Sequence, residues 1–196
     1  MFDWIKNINK DYPDFWKNYL SKFETKSNRF VMLSTETTGL NPEKDIILSF
    51  GAVGVVNNSI IISDTFEVVL LQYKFLHENG FSNEFIIESK QPKLGEREAI
   101  TALIDFIGNS ILVGHRINFD VEMINTALEK LDAGRLKNEA LDIEIMHQKL
   151  TDSDKPISIG ELNTIYNIIP SERISSAEDA YTLALLFLKL KSKLGL

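Results

Sequence analysis

Three successive segments of β character constrain the fold of this chain more than any other feature of its sequence. They are residues 29–33, 46–56 and 59–71, and all three are rich in Val, Ile and Phe. Asn57 and Asn58 separate the last two segments, and because Asn tolerates a positive φ angle, this pair predicts a tight hairpin turn. We therefore expect a sheet that begins with antiparallel neighbours.

Helices and one further strand alternate after these segments. Residues 96–107 and 118–131 have the apolar spacing of helices, and a short apolar strand at 110–113 lies between them. This order predicts an α/β fold with a mixed sheet and helices on both of its faces. The remaining predicted helices are residues 138–150, one that begins after the capping residue Ser158 and one that begins after Ser175.

Two segments lie outside this pattern. Residues 1–27 are aromatic and helical in character, and Pro13 divides them into two short helices. We expect this arm to pack on the domain formed by residues 28–196, and the alternative interpretation is a docking surface for a protein partner. Residues 72–95 mix aromatic and polar side chains with Gly and Pro, which predicts an irregular insertion or lid of unassigned role.

The composition excludes several classes of function. The 196 residues carry a formal charge of −7, which excludes a broad basic face that binds duplex nucleic acid through its phosphates. The absence of Cys excludes disulfides, thiol catalysis and zinc sites built from cysteine. No apolar run approaches the roughly 20 residues of a membrane span, so we expect a cytoplasmic protein with no membrane contact.

Three short polar segments follow buried elements, which is where α/β folds place their sites. Strand periodicity places Ser34 and Glu36 on one side of the first strand. Asp120 and Asp179 lie in the first turns of helices, where the positive helix end favours a charged carboxylate. Each acid alone is explained by helix capping or surface exposure, so the argument for a site depends on all three segments. They are STETTGL at 34–40, GHRINFD at 114–120 and ISSAEDA at 174–180.

The order of these segments resembles the DEDD superfamily of 3′-5′ exonucleases, whose proofreading members include the epsilon subunit of bacterial DNA polymerase III. The resemblance spans about residues 29–194. The first family motif, D-x-E-x-T-G, is matched by Glu36, Thr38 and Gly39, whereas Ser34 stands where the family has Asp. The resemblance implies a ribonuclease-H-like fold.

The second and third family motifs are also matched in part. In H-N-x-x-F-D the chain keeps His115, Phe119 and Asp120, and it has Arg116 in place of Asn. In H-x-A-x-x-D it keeps the final acid, Asp179. The His that opens this third motif is replaced by Ile174.

The resemblance implies hydrolysis of a terminal phosphodiester with two divalent ions, held by acids from the three motifs. Glu36, Asp120 and Asp179 would be the ligands here. Ser34 offers only a neutral hydroxyl where the family's Asp bridges both ions, so we expect weak binding of Mg²⁺ or Mn²⁺, as a single ion. Ile174 cannot take a proton from water as the family's His does. The residues expected to contact the substrate are Thr37, Thr38, Gly39, Leu40, His115 and Phe119.

Three functions remain open at this point. The first is a protein of the exonuclease family that binds the 3′ end of a single-stranded nucleic acid and hydrolyses it weakly or not at all. The second is an active metal-dependent 3′-5′ exonuclease in which Ser34 and a different base, such as His115 or Glu178, suffice. The third is an inert interaction module that binds a protein through the N-terminal arm or the insertion at 72–95.

Overall fold

A mixed sheet forms the centre of the molecule. The structure is a computed structural model and describes residues 11–71, 90–171 and 175–196. The strands in these ranges are β1 (Phe30–Thr37), β2 (Ile47–Val56), β3 (Ser59–Leu71), β4 (Lys93–Gly95), β5 (Ile111–Gly114) and β6 (Ala140–Asp142). The helices are α1 (Asp14–Ser21), α2 (Glu96–Ile107), α3 (Ile117–Glu129), α4 (Ile143–Thr151), α5 (Ile159–Ile165) and α6 (Ser176–Leu194), and a 3-10 turn at Lys22–Glu24 follows α1.

The strands lie in the order β4-β3-β2-β1-β5-β6 across the sheet. The three strands β1, β2 and β3 are antiparallel neighbours, whereas β4, β5 and β6 pair in parallel with the strands beside them. Asn57 and Asn58 have φ angles of 50° and 60° in the turn between β2 and β3, as the predicted hairpin requires. The predicted α/β class with a mixed sheet is confirmed.

Two predictions of secondary structure are wrong. The helix predicted over 138–150 begins only at Ile143, because residues 140–142 pair with β5 and form β6. Asp142 ends this strand and caps α4, where its carboxylate accepts a hydrogen bond from the N–H of Glu144 at 2.8 Å. In the segment predicted to be irregular, residues 93–95 form β4, since their backbone pairs with the end of β3. The rest of that segment, up to residue 89, lies outside the described residues.

Helices cover both faces of the sheet, as predicted, because the side chains of β1 alternate between two cores. Val31 and Leu33 are fully buried on the side of α1, α2 and α3. Met32 is fully buried on the other side, which is covered by α4, α5 and α6. Burial of an apolar side chain of this size typically contributes about 1.5–3 kcal/mol to stability. The strand is therefore fixed on both faces immediately before its polar end.

The first turn of α6 rests directly on β2 and β3. Gly51 leaves the space for it, because a Cβ atom at that position would lie 1.9 Å from the backbone carbon of Ser176. The hydroxyls of Ser49 and Ser176 are 2.5 Å apart, and Ser175 donates a hydrogen bond to the carboxylate of Glu67 at 2.5 Å. These contacts fix the start of α6 against the sheet. Neither α6, with 19 residues, nor any other helix in the described ranges is both long and apolar enough to cross a membrane.

The aromatic side chains of α1, in the N-terminal arm, point inward. Trp16 and Tyr19 are each 1% exposed. The Tyr19 hydroxyl donates to Oδ1 of Asn138 and accepts from the N–H of Lys137, both at 2.7 Å. Residues 1–10, which include the other predicted helix, lie outside the described residues, so a docking role for the arm stays a prediction.

Candidate functional site

The carboxyl end of β1 is open on one side. This strand pairs with β5 only from Phe30 to Met32, whereas it continues alongside β2 to Thr37. Its last residues therefore border a notch between the sheet and the start of α3, and a cavity of about 440 Å³ lies here. The cavity is lined by Leu33, Ser34, Thr35, Glu36, Thr37, Leu40, His115, Arg116, Phe119, Asp120, Ile159 and Leu183.

Asp120 reaches this cavity from the first turn of α3. It is 8% exposed, and the hydroxyl of Thr35 donates a hydrogen bond to its Oδ1 atom. Burial raises the pKa of Asp120 to about 7, the charges of Asp142 and Glu36 raise it as well, and the bond from Thr35 acts in the opposite direction. The buried position thus favours the protonated form of Asp120.

Glu36 and Asp179 are neighbours on the other face of the sheet. Strand alternation turns Glu36 toward α6, whose first turn carries Asp179. The protein around Glu36 excludes enough water to raise the pKa of this carboxyl, and the charge of Asp179 raises it further. Burial also raises the pKa of Asp179, as do the charges of Glu178 and Glu67. Glu36 is thus the electrostatic neighbour of both Asp120 and Asp179.

The three predicted metal ligands are close in pairs but are not gathered into a cage. Among the residues that the structure describes, no group of three or more acidic or histidine side chains is arranged to hold a metal ion. One oxygen of Asp120 is occupied by the hydroxyl of Thr35. The carboxylates are of the type that a hard divalent ion requires. In this structure these carboxylates lie near one another in two pairs, Glu36 with Asp120 and Glu36 with Asp179.

The segment after β1 forms a turn that is closed by Asp45. Thr38 donates a hydrogen bond to Oδ1 of Asp45 at 2.9 Å, and Thr37 donates to the carbonyl of Gly39 at 2.8 Å. A Cβ atom at position 39 would lie 2.7 Å from the Asp45 carboxylate, so a larger residue there would displace the side chain that closes the turn. Of the four residues predicted to contact substrate in this segment, Thr37 and Leu40 line the cavity. Leu40 is 86% exposed at its rim.

His115 and Phe119, the other two predicted substrate contacts, also line the cavity. Nε2 of His115 is 2.8 Å from the carbonyl oxygen of Ile157. Because a carbonyl can only accept a hydrogen bond, Nε2 carries the hydrogen, and in the neutral ring Nδ1 carries the lone pair. His115 is therefore held by one nitrogen and keeps a basic nitrogen for other contacts.

Glu178 is the remaining candidate for proton transfer, and Ile174 stands where the family has its His. Ile174 falls outside the described residues. Glu178 borders a different surface cavity, beside Val53 and Tyr181, so it does not line the cavity next to β1. A replacement of the family's His by Glu178 gains no support from this position.

Sequence reasoning missed two acids that shape the site. Asp142 accepts hydrogen bonds from the N–H groups of Ile117 and Glu144 and thereby fixes the starts of both α3 and α4. Its position directly before a helical pattern was an available signal. Glu67 anchors α6, and only the pairing of β3 with β2 reveals that it lies near Asp179. No local pattern in the sequence indicates that contact.

Comparisons with known proteins agree with the fold, and the range matched by a family model includes all three polar segments. The model of the RNase_T family, described as exonuclease, matches residues 31–187. The chain is 27% identical over 175 residues to the PolC-type DNA polymerase III of Caldanaerobacter subterraneus subsp. tengcongensis, which corresponds to 84% of this chain and 12% of that protein. It is 24% identical over 170 residues to the epsilon subunit of DNA polymerase III from Aquifex aeolicus, covering 84% of this chain and 81% of that subunit.

Solved structures of exonuclease I share the same fold. The complex of E. coli exonuclease I with a dT13 oligonucleotide has a TM-score of 0.68 at 12% identity, over 86% of this chain and 42% of that chain. A product-bound exonuclease I has a TM-score of 0.68 at 13% identity, over 85% and 44%. This chain thus spans less than half of exonuclease I and a small part of the PolC-type protein. It belongs to the RNase_T exonuclease family, the DEDD-type 3′-5′ exonucleases that resemble the epsilon subunit of DNA polymerase III.

Proposed function

We propose that this chain binds the 3′ end of a single-stranded nucleic acid in the cavity beside β1 and hydrolyses that end weakly or not at all. The observation that carries the proposal is Ser34, which stands where the family has its metal-bridging Asp. A hydroxyl there lowers the negative charge of the site by one and removes a bidentate ligand. Ile174 stands in place of the general base, whose contribution is typically about 10²–10⁴ in rate.

The cavity itself supports binding of a strand end. Its volume of about 440 Å³ is within the usual range for sites that hold small ligands. Leu40 offers an exposed apolar face at the rim, and Phe119 provides an aromatic wall on which a base can stack. E. coli exonuclease I, which shares this fold, has been solved in complex with a dT13 oligonucleotide.

A divalent ion would be held weakly, by Glu36 with Asp120 or with Asp179. Each pair is close enough for electrostatic coupling, but a bound ion needs both partners charged, and the pKa of all three carboxyls is raised. Calorimetric titration with Mg²⁺ and Mn²⁺ measures this directly. We expect one site at most, with an affinity that falls as the pH is lowered toward 6.

Binding and hydrolysis are tested separately with the same oligonucleotide. Fluorescence anisotropy in EDTA measures binding to a single strand with a free 3′ end and to a circular strand without ends, as DNA and as RNA. We expect the strand with a 3′ end to bind more tightly. Equal affinity for the circular strand would contradict recognition of the end.

Hydrolysis is then followed with a 5′-labelled strand and Mn²⁺. We expect no trimming above the level of the Glu36→Ala variant. Clear trimming that this variant lacks would show that the chain is an active exonuclease and would overturn the proposed loss of catalysis. Comparison with Glu36→Ala separates the chain's own activity from that of a contaminating nuclease.

An active exonuclease is the second candidate, and one observation favours it. His115 lines the cavity and keeps the lone pair of Nδ1, so it is positioned as a base in a site whose own His is replaced. If the wild-type chain trims the strand, His115→Gln is expected to lower the rate at least 100-fold, because Gln cannot take up a proton. An unchanged rate would exclude His115 as the base.

A further inference from the structure

Arg116 is held in a backbone conformation that arginine rarely adopts. It is the residue before α3, with φ 56° and ψ 40°, in the left-handed region. The side chain does not cap the helix, because Asp142 accepts the hydrogen bond from the N–H of Ile117 instead. The guanidinium group is consequently available for other contacts, and 58% of the side chain is exposed.

Arg116 pairs with Glu144, which is fixed by a second hydrogen bond, whereas the contacts of Arg116 with Glu144 are long. The Glu144 side chain is only 12% exposed, and its Oε1 atom accepts a hydrogen bond from the N–H of Ile157 at 2.7 Å. Two nitrogens of Arg116 contact the Glu144 carboxylate at 3.3 and 3.4 Å. These distances exceed the 2.7–2.9 Å that is usual for a charge-assisted hydrogen bond. When the guanidinium turns toward the cavity, Glu144 keeps its hydrogen bond from the N–H of Ile157.

The cavity contains two acidic side chains, and Arg116 places a positive charge beside them. Glu36 and Asp120 line the cavity, and Arg116 is the one Lys or Arg side chain among its described lining residues. A phosphodiester that approaches two carboxylates needs a cation beside it, and a guanidinium matches a phosphate with two parallel hydrogen bonds. The position carries Asn in the family motif, so this cation is a property of the present chain.

We propose that Arg116 is the phosphate-binding residue of this cavity and that it exchanges its contact with Glu144 for a bidentate contact with a phosphodiester of the bound strand. The inference rests on the proposed function, since it concerns how the strand is held in the same cavity. It adds a source of affinity that needs no metal ion. The proposal also predicts that Arg116 contributes to the decrease of binding affinity as the salt concentration rises.

The test uses Arg116→Asn, because Asn tolerates the left-handed backbone and restores the family residue. The matched control is Arg135→Asn, since Arg135 is 54% exposed and pairs with Glu122 and Glu129 away from the cavity. Binding of a single-stranded oligonucleotide is measured by anisotropy in EDTA at several salt concentrations. We expect Arg116→Asn to weaken binding about tenfold and to reduce the slope of log K against log salt by about 0.7. The control is expected to change the affinity less than twofold.

The outcomes separate this inference from the proposed function. Equal affinities and salt slopes for the two variants would overturn the role of Arg116 and leave end binding intact. A wild-type chain that does not bind the oligonucleotide would overturn both. A thermal unfolding midpoint of Arg116→Asn at or above that of the wild type shows that any loss of binding is not a loss of fold.

Discussion

Acids from the three family motifs lie on both sides of β1, and the two sides differ in how deeply their acids are buried. On the side of α3, Asp120 is 8% exposed, accepts a hydrogen bond from Thr35 and has a pKa raised to about 7. On the side of α6, Glu36 and Asp179 are more exposed than Asp120. Partial burial raises the pKa of both carboxyls, and the charge of Asp179 raises that of Glu36 further. One acid is integrated into the fold, and the other two remain at the surface.

This difference separates an acid that stabilises the fold, Asp120, from acids whose carboxylates make no such contact within the described residues. Asp120 joins α3 to β1 through Thr35, so it has a structural role at any ion concentration. Asp179 is placed by the contacts of α6 with Gly51 and Glu67, which do not involve its own carboxylate. Because Ser34 also faces α6, the substitution of the family's Asp affects the side whose acids depend most on a bound cation.

The largest effect is expected from restoring the family residues at positions 34 and 174 together. Ser34→Asp combined with Ile174→His restores the residues that the family has at both positions. The added carboxylate lies beside Glu36, and the His supplies a base, so we expect trimming of a 5′-labelled strand in Mn²⁺ to rise at least 100-fold above the wild type.

The control for this variant is Ser34→Asn with Ile174→His, which has nearly the same size as the Asp variant and lacks its charge. Activity in the Asp form alone would show that the charge on the α6 side is what the chain lacks. If neither form trims the strand, the loss of function lies in the spacing of Glu36, Asp120 and Asp179 and not in the two substituted residues.

A smaller effect is expected from displacing α6. Gly51→Ala would place a methyl group 1.9 Å from the backbone of Ser176, so the start of the helix must move. We expect the free energy of unfolding to fall by about 3 kcal/mol, near the upper end for overpacking. Gly160→Ala is the matched control, because a Cβ atom there meets nothing within 4 Å. Equal stability of the two variants in urea unfolding would show that α6 is not seated on Gly51 as described.

The mixed α/β sheet and the hairpin between β2 and β3 were predictable because the signals for them are local in the sequence. Strand periodicity placed Ser34 and Glu36 on one side of β1, and Asn57 with Asn58 marked the hairpin. The short strands β4 and β6 were not predictable. Each has only three residues, which are too few to show the alternation of apolar and polar side chains that predicts a strand. They form strands because they pair in parallel with a distant segment.

The sequence also did not predict that Asp120 lies on one face of the sheet and that Glu36 and Asp179 lie on the other. Strand alternation turns Thr35 away from Glu36, so Asp120 is bound by a residue that the family motif leaves unspecified. Asp142 lies near Asp120 only because β6 pairs with β5, and Asp142 contributes to the raised pKa of Asp120. Contacts between distant segments determine the burial and the pKa of these acids, and the spacing of residues within a motif does not predict such contacts.

The smallest effect concerns the buried acid and its pH dependence. The folded-state pKa of Asp120, about 7, is above the value of about 3.9 for an unfolded chain, so its stabilising contribution is full below pH 4 and is lost as the pH rises through 7. Between pH 5 and pH 8 we expect this group to lower the free energy of unfolding by about 2 kcal/mol. Asp120→Asn keeps an oxygen that accepts from Thr35 and cannot ionise, so its stability should decrease less over the same range. Parallel curves for the two proteins in urea unfolding would show that Asp120 is already charged in the folded state. The acids on the two sides of β1 would then be equally available to a cation.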